Sequence, residues 1–405
     1  MIVVGGGPAG LACALELRRR GVDVVVLERE RRAGGIPRHC EHQGFGLRDL
    51  HRLQSGPRYA QRYVELARNA GADVVEEAMV TGWAQDGGLE VTSPAGRETL
   101  KGEAVVLATG CRERPRAARL VPGSRPEGVL TTGLLQQLVQ RGLPVGRRAL
   151  VVGAEHVSFS AVLTLAHAGA TAVGMTTELP RHQSLALVRA GAALRYRVPL
   201  WTRTAIAAIH GRPRVEEVEL LDLDRGATRP VSCDTVVFTD DWIPDHELAS
   251  AAGLDLDAGT RGPRVDTGLR TARPGVFAAG NLLHGAEPAD VAALGGRRAA
   301  ASAASWLAGQ GWPEKTVHLV CRQPLHWISP NAVGETRDQP PRGRFLLRSS
   351  GFVGRGRIEI RQSERLLWAG RAGRLMPGRS ASLPCVWLEQ VEIPGSPVEI
   401  GLDDG

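Results

Sequence analysis

The chain opens on a short apolar run, Met1-Ile2-Val3-Val4, interrupted by Gly5-Gly6-Gly7-Pro8-Ala9-Gly10 and followed by an Ala- and Leu-rich stretch reaching Arg20. A second apolar run over 22–27 ends in Glu28. Continuous apolar runs of this length predict strands buried on both faces, and the stretch between them predicts a helix. The pattern returns in Val105-Val106-Leu107-Ala108-Thr109-Gly110 and over 274–281, two buried strands ending in small-residue turns. Residues 148–152 predict another strand, and 59–70, 159–168 and the Ala-rich stretch over 296–307 predict helices. Beyond Gly311-Trp312-Pro313 the pattern becomes short alternating runs at 316–321, 344–348, 357–361, 366–369 and 386–393, split by Gly, Pro and Ser. Such runs predict five or six strands of a small antiparallel β domain.

The expected fold class is therefore α/β. Two Rossmann-like three-layer dinucleotide-binding domains are predicted, the second inserted in the first, with the C-terminal antiparallel β domain appended. Expected boundaries are 1–114 with 262–311 for the first domain, 115–261 for the second and 312–405 for the third. A chain of 405 residues accommodates two to four domains at roughly 100–200 residues each. No apolar stretch approaches the ~20 residues of a membrane-spanning helix, and the N-terminus enters a strand at once instead of a signal peptide. A cytoplasmic protein is expected.

The formal charge of +7 arises from 48 arginines and only Lys101 and Lys315, a bias that reads as GC-rich coding. Arg is interleaved with Asp and Glu over the first 300 residues, so nucleic acid is not an expected partner. Between Arg337 and Arg379, however, eleven arginines face three acids, Asp338, Glu359 and Glu364. These are either solvated strand faces or a docking face for an acidic partner. The six cysteines, Cys13, Cys40, Cys111, Cys233, Cys321 and Cys385, lie far apart without a CxxC pair, so no metal or iron–sulfur site is expected on this chain.

The GxGxxG of residues 5–10 stands in the context its chemistry needs: strand, tight turn, helix, strand, acid. Gly5 permits the turn, Gly7 lets backbone approach a pyrophosphate, Gly10 allows close helix–strand packing, and Glu28 can accept from ribose hydroxyls. With Ala108-Thr109-Gly110 and Gly275-Val276-Phe277-Ala278-Ala279-Gly280-Asn281, the chain resembles the two-dinucleotide flavoproteins of the thioredoxin and glutathione reductase type. The resemblance implies FAD, with Asn281 where those proteins carry an Asp on the ribityl chain. It implies further flavin-site residues at Pro8, Ala9, Arg29, Gly35, Val80, Val291 and Ala292. It also implies that the helix starting near Ala289 points its positive end at the flavin.

Two departures from that pattern matter. Pro37 and His42 stand where glutathione-type reductases have cysteines, so dithiol chemistry is not expected. In the second nucleotide fold the turn is Gly153-Ala154-Glu155-His156-Val157-Ser158, with Glu155 where a glycine should meet phosphate. Two like charges ~4 Å apart cost about 4 kcal/mol at an effective dielectric of 20, so NAD(P) is not expected to bind in the family manner. A shifted loop, with Glu178 as ribose acid, keeps the opposite reading open.

The polar loop over 34–50 and the 153–158 turn resemble the FAD-containing α subunits of hetero-oligomeric amino acid and amine dehydrogenases within the pyridine nucleotide-disulfide oxidoreductase superfamily. That group includes hydrogen cyanide synthase, opine oxidase, hydroxyproline dehydrogenase and the sarcosine oxidase-like enzymes. The resemblance implies a separate oxidase-like flavoprotein subunit, a small-molecule substrate, and a small iron–sulfur protein holding any [2Fe–2S] cluster. His39, His42, His284 and Glu287 are the candidates for proton transfer, each weighed against a structural role; Cys40 reads as an inert thiol. Rival readings are an NAD(P)H-dependent flavin reductase, a glycerol-3-phosphate dehydrogenase-associated FAD oxidoreductase, and a non-catalytic FAD-bound scaffold.

Overall fold

Three-residue apolar runs become strands here by pairing side by side. In the computed structural model, which describes residues 1–184 and 195–403, Ile2–Val4 lies between Val25–Leu27 and Val105–Leu107, with Val3 opposite both Val26 and Val106. Asp73–Val75 and Val276–Ala278 complete a parallel five-stranded sheet. Every residue of Ile2–Val4, Val105–Leu107 and Val276–Ala278 is buried, as a sheet covered on both faces requires. The second strand begins at Val25, not at 22. The Val22 amide instead donates to Leu17 O and Gly21 takes φ +76°, so these residues close the preceding helix.

Two helices carry the expected patterns, Pro8–Arg19 and Ala289–Leu307, and glycine lets them touch at backbone distance. A Cβ on Gly296 would lie 1.9 Å from Ala9 O, and one on Gly10 would lie 1.9 Å from Gly5 O. The helix expected over 59–70 runs Gly56–Asn69. A three-stranded antiparallel sheet, Met79–Trp83, Leu89–Ser93 and Gly96–Leu100, interrupts the parallel order.

By its internal contacts the chain forms two units: residues 1–38, 43–111 and 243–405, and residues 39–42 with 112–242. Residues 243–261, expected with the second nucleotide fold, group with the first. Asp245 holds them there, because its amide donates to Gly110 O and its carbonyl accepts from Thr109 Oγ1 at 2.8 Å. The second unit repeats the plan, with parallel strands in the order Val129–Thr131, Thr235–Phe238, Arg148–Val152, Thr171–Thr176 and Leu200–Trp201. Its helix begins at His156, three residues before the expected start, because Glu155 caps it.

Residues 312–405 build their own core, with Trp387 stacked on Phe345 at 5.0 Å. Among the described residues eight strands form it, more than the five or six expected, in sheets of five and three. The pairing is antiparallel except between Thr316–Cys321 and Val398–Leu402, which run parallel. The strand expected over 386–393 is a turn with a 3-10 helix at Leu388–Gln390. There the Trp387 indole donates to Pro384 O at 2.8 Å and fills the core from a turn.

Gly296→Ala should cost about 1–3 kcal/mol, because backbone, not a flexible side chain, meets the new methyl. Gly311→Ala, with open space around it, should stay within about 0.5 kcal/mol. Urea unfolding of both variants checks this.

Candidate cofactor and active site

At the start of the Pro8–Arg19 helix Gly7 is the N-cap, with no side-chain cap bond and no acid in the first turn. A Cβ on Gly7 would meet nothing nearer than Gly35 Cα at 3.9 Å, and Gly35 itself adopts φ +63°. The amides of this helix therefore face a seat walled by glycine backbone, which suits a pyrophosphate. Glu28, buried at the end of its strand, accepts from the Gly6 and Glu30 amides, both at 2.8 Å. Burial raises its carboxyl above the usual range against the pull of these bonds. Each oxygen keeps acceptor capacity for a ribose hydroxyl. Val80 is buried nearby in chain order, two residues after Ala78, whose amide donates to Glu28 O. Arg29 pairs with Asp245 at 3.4 Å. The residues present fit the adenosine diphosphate half of FAD.

Gly280, at φ +74°, closes against Ala9, where a Cβ would lie 2.6 Å from the alanine methyl. Asn281 is already in use: its Nδ2 donates to Glu287 O at 3.1 Å and its Oδ1 accepts from the Glu287 amide at 2.9 Å. It ties down the loop before the long helix and retains one donor and one acceptor position for a ribityl hydroxyl. Val291 and Ala292 lie in the first turn of that helix, next to Asp290. Asp290 is buried and held by both carboxylate oxygens to Arg48 Nη1, at 3.0 and 3.1 Å. The positive helix end thus carries an acid balanced by an arginine. Asp49 accepts from the Tyr59 and Tyr63 hydroxyls at 2.6 and 2.7 Å, and Arg297 donates to Asp49 O at 3.0 Å. Polar density over 34–50 was the visible signal of this network; its partners at 290 and 297 left no local pattern.

Of the four candidate proton carriers, the structure places His284 and Glu287 in one segment. Glu287 is engaged: its carboxylate pairs with Arg348 at 2.8 Å and accepts from the Ser380 hydroxyl. Arg348 also donates to Gly285 O at 2.7 Å and lies over the Trp327 ring. His284 stacks on the other partner of that cation, Trp327, at 5.1 Å, and its buried Nδ1 has no hydrogen-bond partner among the described residues. Burial pulls its pKa down to about 4, with Arg348 assisting and Glu287 opposing, so the ring is neutral near pH 7. His39 and His42 group with the second unit, where His39 bonds Gln140. Between them Cys40 donates to Gln136 at 3.4 Å, and burial pushes its thiol up to about 12. Cys40 is therefore no nucleophile at neutral pH.

The second nucleotide fold has a filled helix N-terminus. Glu155 accepts from the Val157 amide, from the Ser158 amide at 3.1 Å and from the Ser158 hydroxyl at 3.0 Å, a reciprocal capping box. Burial, with the Asp240 carboxylate second, raises Glu155 to about 7. Asp240 sits at φ +59° beyond the Thr235–Phe238 strand and accepts from Gln183. Two carboxyl groups therefore stand where a nucleotide phosphate would need donors. Glu178 is exposed, two residues past the end of its strand.

Arg348→Met strands the Glu287 carboxylate and should cost about 3–5 kcal/mol, with much of the loss recovered by adding Glu287→Leu; a double-mutant cycle of unfolding free energies reads this. Glu155 gives a pH dependence of determined sign. Its folded pKa lies above the ordinary 4.5, so its contribution to stability is full below 4.5 and falls as pH rises to about 7. Glu155→Gln should flatten that stretch of a stability–pH curve.

A profile of the pyridine nucleotide-disulphide oxidoreductase family matches residues 1–296. An opine oxidase subunit from Rhizobium meliloti is 26% identical over 362 residues, which cover 80% of this chain and 66% of that protein. Hydrogen cyanide synthase subunit HcnB of Pseudomonas aeruginosa is 27% identical over 334 residues, 74% of this chain and 70% of that one. This chain thus spans about two thirds of the length of those two proteins. Thioredoxin reductase of Treponema pallidum is 26% identical over 291 residues, 70% of this chain and 88% of its own. Among solved structures, thioredoxin reductase of T. acidophilum superposes with a TM-score of 0.63 at 22% identity, covering 76% of this chain and 98% of that one. Among the described residues no helix is long and apolar enough to cross a membrane. The chain belongs to the pyridine nucleotide-disulphide oxidoreductase family and is an FAD-dependent oxidoreductase.

Proposed function

We propose that this chain is the FAD-carrying, electron-transferring subunit of a cytoplasmic hetero-oligomeric dehydrogenase that oxidises an amino acid, amine or opine-like substrate. Electrons would leave to an iron–sulfur or quinone-linked acceptor. The partners would be an oxidase-like flavoprotein subunit and a small protein holding a [2Fe–2S] cluster. The observation that carries this reading is the contrast between two helix starts: glycine backbone open to a pyrophosphate at Gly7, and a protein carboxylate occupying the equivalent position at Glu155. A chain that holds FAD but fills its pyridine-nucleotide seat with its own acid must receive electrons from elsewhere. The likeness to subunits of opine oxidase and hydrogen cyanide synthase supports the same assignment.

Bound FAD supplies a two-electron acceptor. Around it Gly5, Gly7 and Gly35 would keep backbone close, Glu28 would fix the ribose, Gly10 closes on the turn at Gly5, and Gly296 against Ala9 holds the two helices together. His284, neutral near pH 7, remains a candidate for proton transfer, whereas Glu287 is neutralised by Arg348. His39 and His42 remain candidates for proton transfer. The likeness to thioredoxin reductase favours a second reading, direct reduction by NAD(P)H.

Anaerobic mixing of the FAD-loaded chain with NADH or NADPH separates the two. The flavin's visible absorption should persist, whereas rapid bleaching would exclude the proposal. Glu155→Gly should bind NADPH at least tenfold more tightly than the wild type by calorimetry, because the phosphate no longer meets a carboxylate.

A further inference from the structure

One cavity lies within the first unit, lined by His284, Arg342, Arg344, Ser329, Ser382 and Leu346. It shares a wall with Gly280, Val291 and Ala292, residues assigned above to the flavin site. Its enclosed space, about 40 Å³, admits a ligand of a few heavy atoms and not a nucleotide. Arg342 and Arg344, both exposed residues, line this cavity, and neither has an ion-pair partner among the described residues. Arg342 is held at φ +62° between Pro341 and Gly343, so the two guanidinium groups come from one tightly turned segment. Guanidinium groups recognise carboxylates in bidentate fashion. The same cavity is lined by His284, only 6% exposed, whose buried Nδ1 has no hydrogen-bond partner among the described residues. An unsatisfied buried nitrogen costs free energy that a ligand can relieve.

We infer that this cavity is a binding site for a small carboxylate bearing a neighbouring hydroxyl or amino group, with Arg342 and Arg344 taking the carboxylate and His284 Nδ1 the second group. A hydroxyl satisfies Nδ1 in either tautomer, because it both donates and accepts. The low pKa of His284 keeps the ring uncharged, so carboxylate binding is the work of the two arginines. Ser329 and Ser382 add hydroxyls at the wall, and Leu346 supplies the apolar side that a short carbon chain would contact. The inference rests on the proposed dehydrogenase reading for its meaning: it places a substrate-sized acid on this chain, beside the flavin residues, and not only on a partner.

Glycolate is the probe, titrated into the FAD-loaded chain and followed by calorimetry and by tryptophan fluorescence, with Trp327→Phe identifying the signal of the ring stacked on His284. Saturable one-to-one binding is expected, with no binding of the neutral methyl ester. Arg342→Gln with Arg344→Gln should weaken glycolate at least tenfold while FAD content and thermal unfolding stay unchanged, since both side chains are exposed. His284→Phe should erase the preference for glycolate over acetate. Absence of saturable binding, unchanged affinity in the double arginine variant, or equal competition by inorganic phosphate would overturn the site. Binding that appears only after FAD is stripped would also overturn it, by making the cavity part of the flavin's own seat. Flavin bleaching by NADPH alongside intact glycolate binding would instead sink the dehydrogenase reading alone.

Discussion

The amides at the start of a helix have no partner within it, and whatever satisfies them decides what that end of the helix can do. This chain contains the same strand–turn–helix unit twice and satisfies those amides in opposite ways. At Gly7 no side chain among the described residues caps them, and at the neighbouring Gly5 and Gly35 an added Cβ would collide with backbone. At Glu155 a carboxylate reaches back onto two amides and a serine hydroxyl. The first arrangement leaves a free energy of binding for an external anion; the second has already used it internally. From that one difference follows the expectation that only one dinucleotide is held.

Much of this was legible because it is local. A glycine at a fixed spacing after a three-residue apolar run, with an acid at the end of the next strand, leaves few alternatives, and the parallel sheets assembled from such runs as expected. Glu155 was also legible, as an acid in a phosphate-binding position, although its capping role was not: Ser158 three residues later is the reciprocal partner that signals it. The failure over 386–393 has its physical origin in non-local pairing. Val386 to Ile393 alternates like a strand, yet Trp387 is fixed by Pro384 O and Phe345, partners whose approach depends on how the C-terminal sheets close. Val22 reads as strand, but its amide belongs to the preceding helix.

Glu287 shows the same limit within the site. Beside His284 in sequence, a glutamate is a natural candidate for proton transfer. Its function is instead set by Arg348, 61 residues away, which turns it into one half of a buried pair. Asn281 is similar, since both ends of its amide are bound by the Glu287 backbone. The segment from Gly280 to Glu287 is thus braced by the C-terminal β domain, and the flavin strand inherits its rigidity from residues far along the chain.

That bracing changes what the arginine excess between Arg337 and Arg379 means. Counted along the chain it suggests a uniformly basic face for an acidic partner. In space the arginines divide by task. Arg337 donates to Val391 O, Arg348 neutralises Glu287, Arg361 pairs with Glu359, and Arg365 with Glu392. Exposed pairs such as Arg365 with Glu392 contribute little to stability, but they still remove charge from any docking face. Arg355, Arg357, Arg371, Arg374 and Arg379 also lack ion pairs among the described residues, and what sets Arg342 and Arg344 apart is the cavity they share. A cation left unpaired beside a buried, unsatisfied imidazole is better explained by a small anion that enters than by a protein surface that covers it, because a covering surface would have no route to His284 Nδ1.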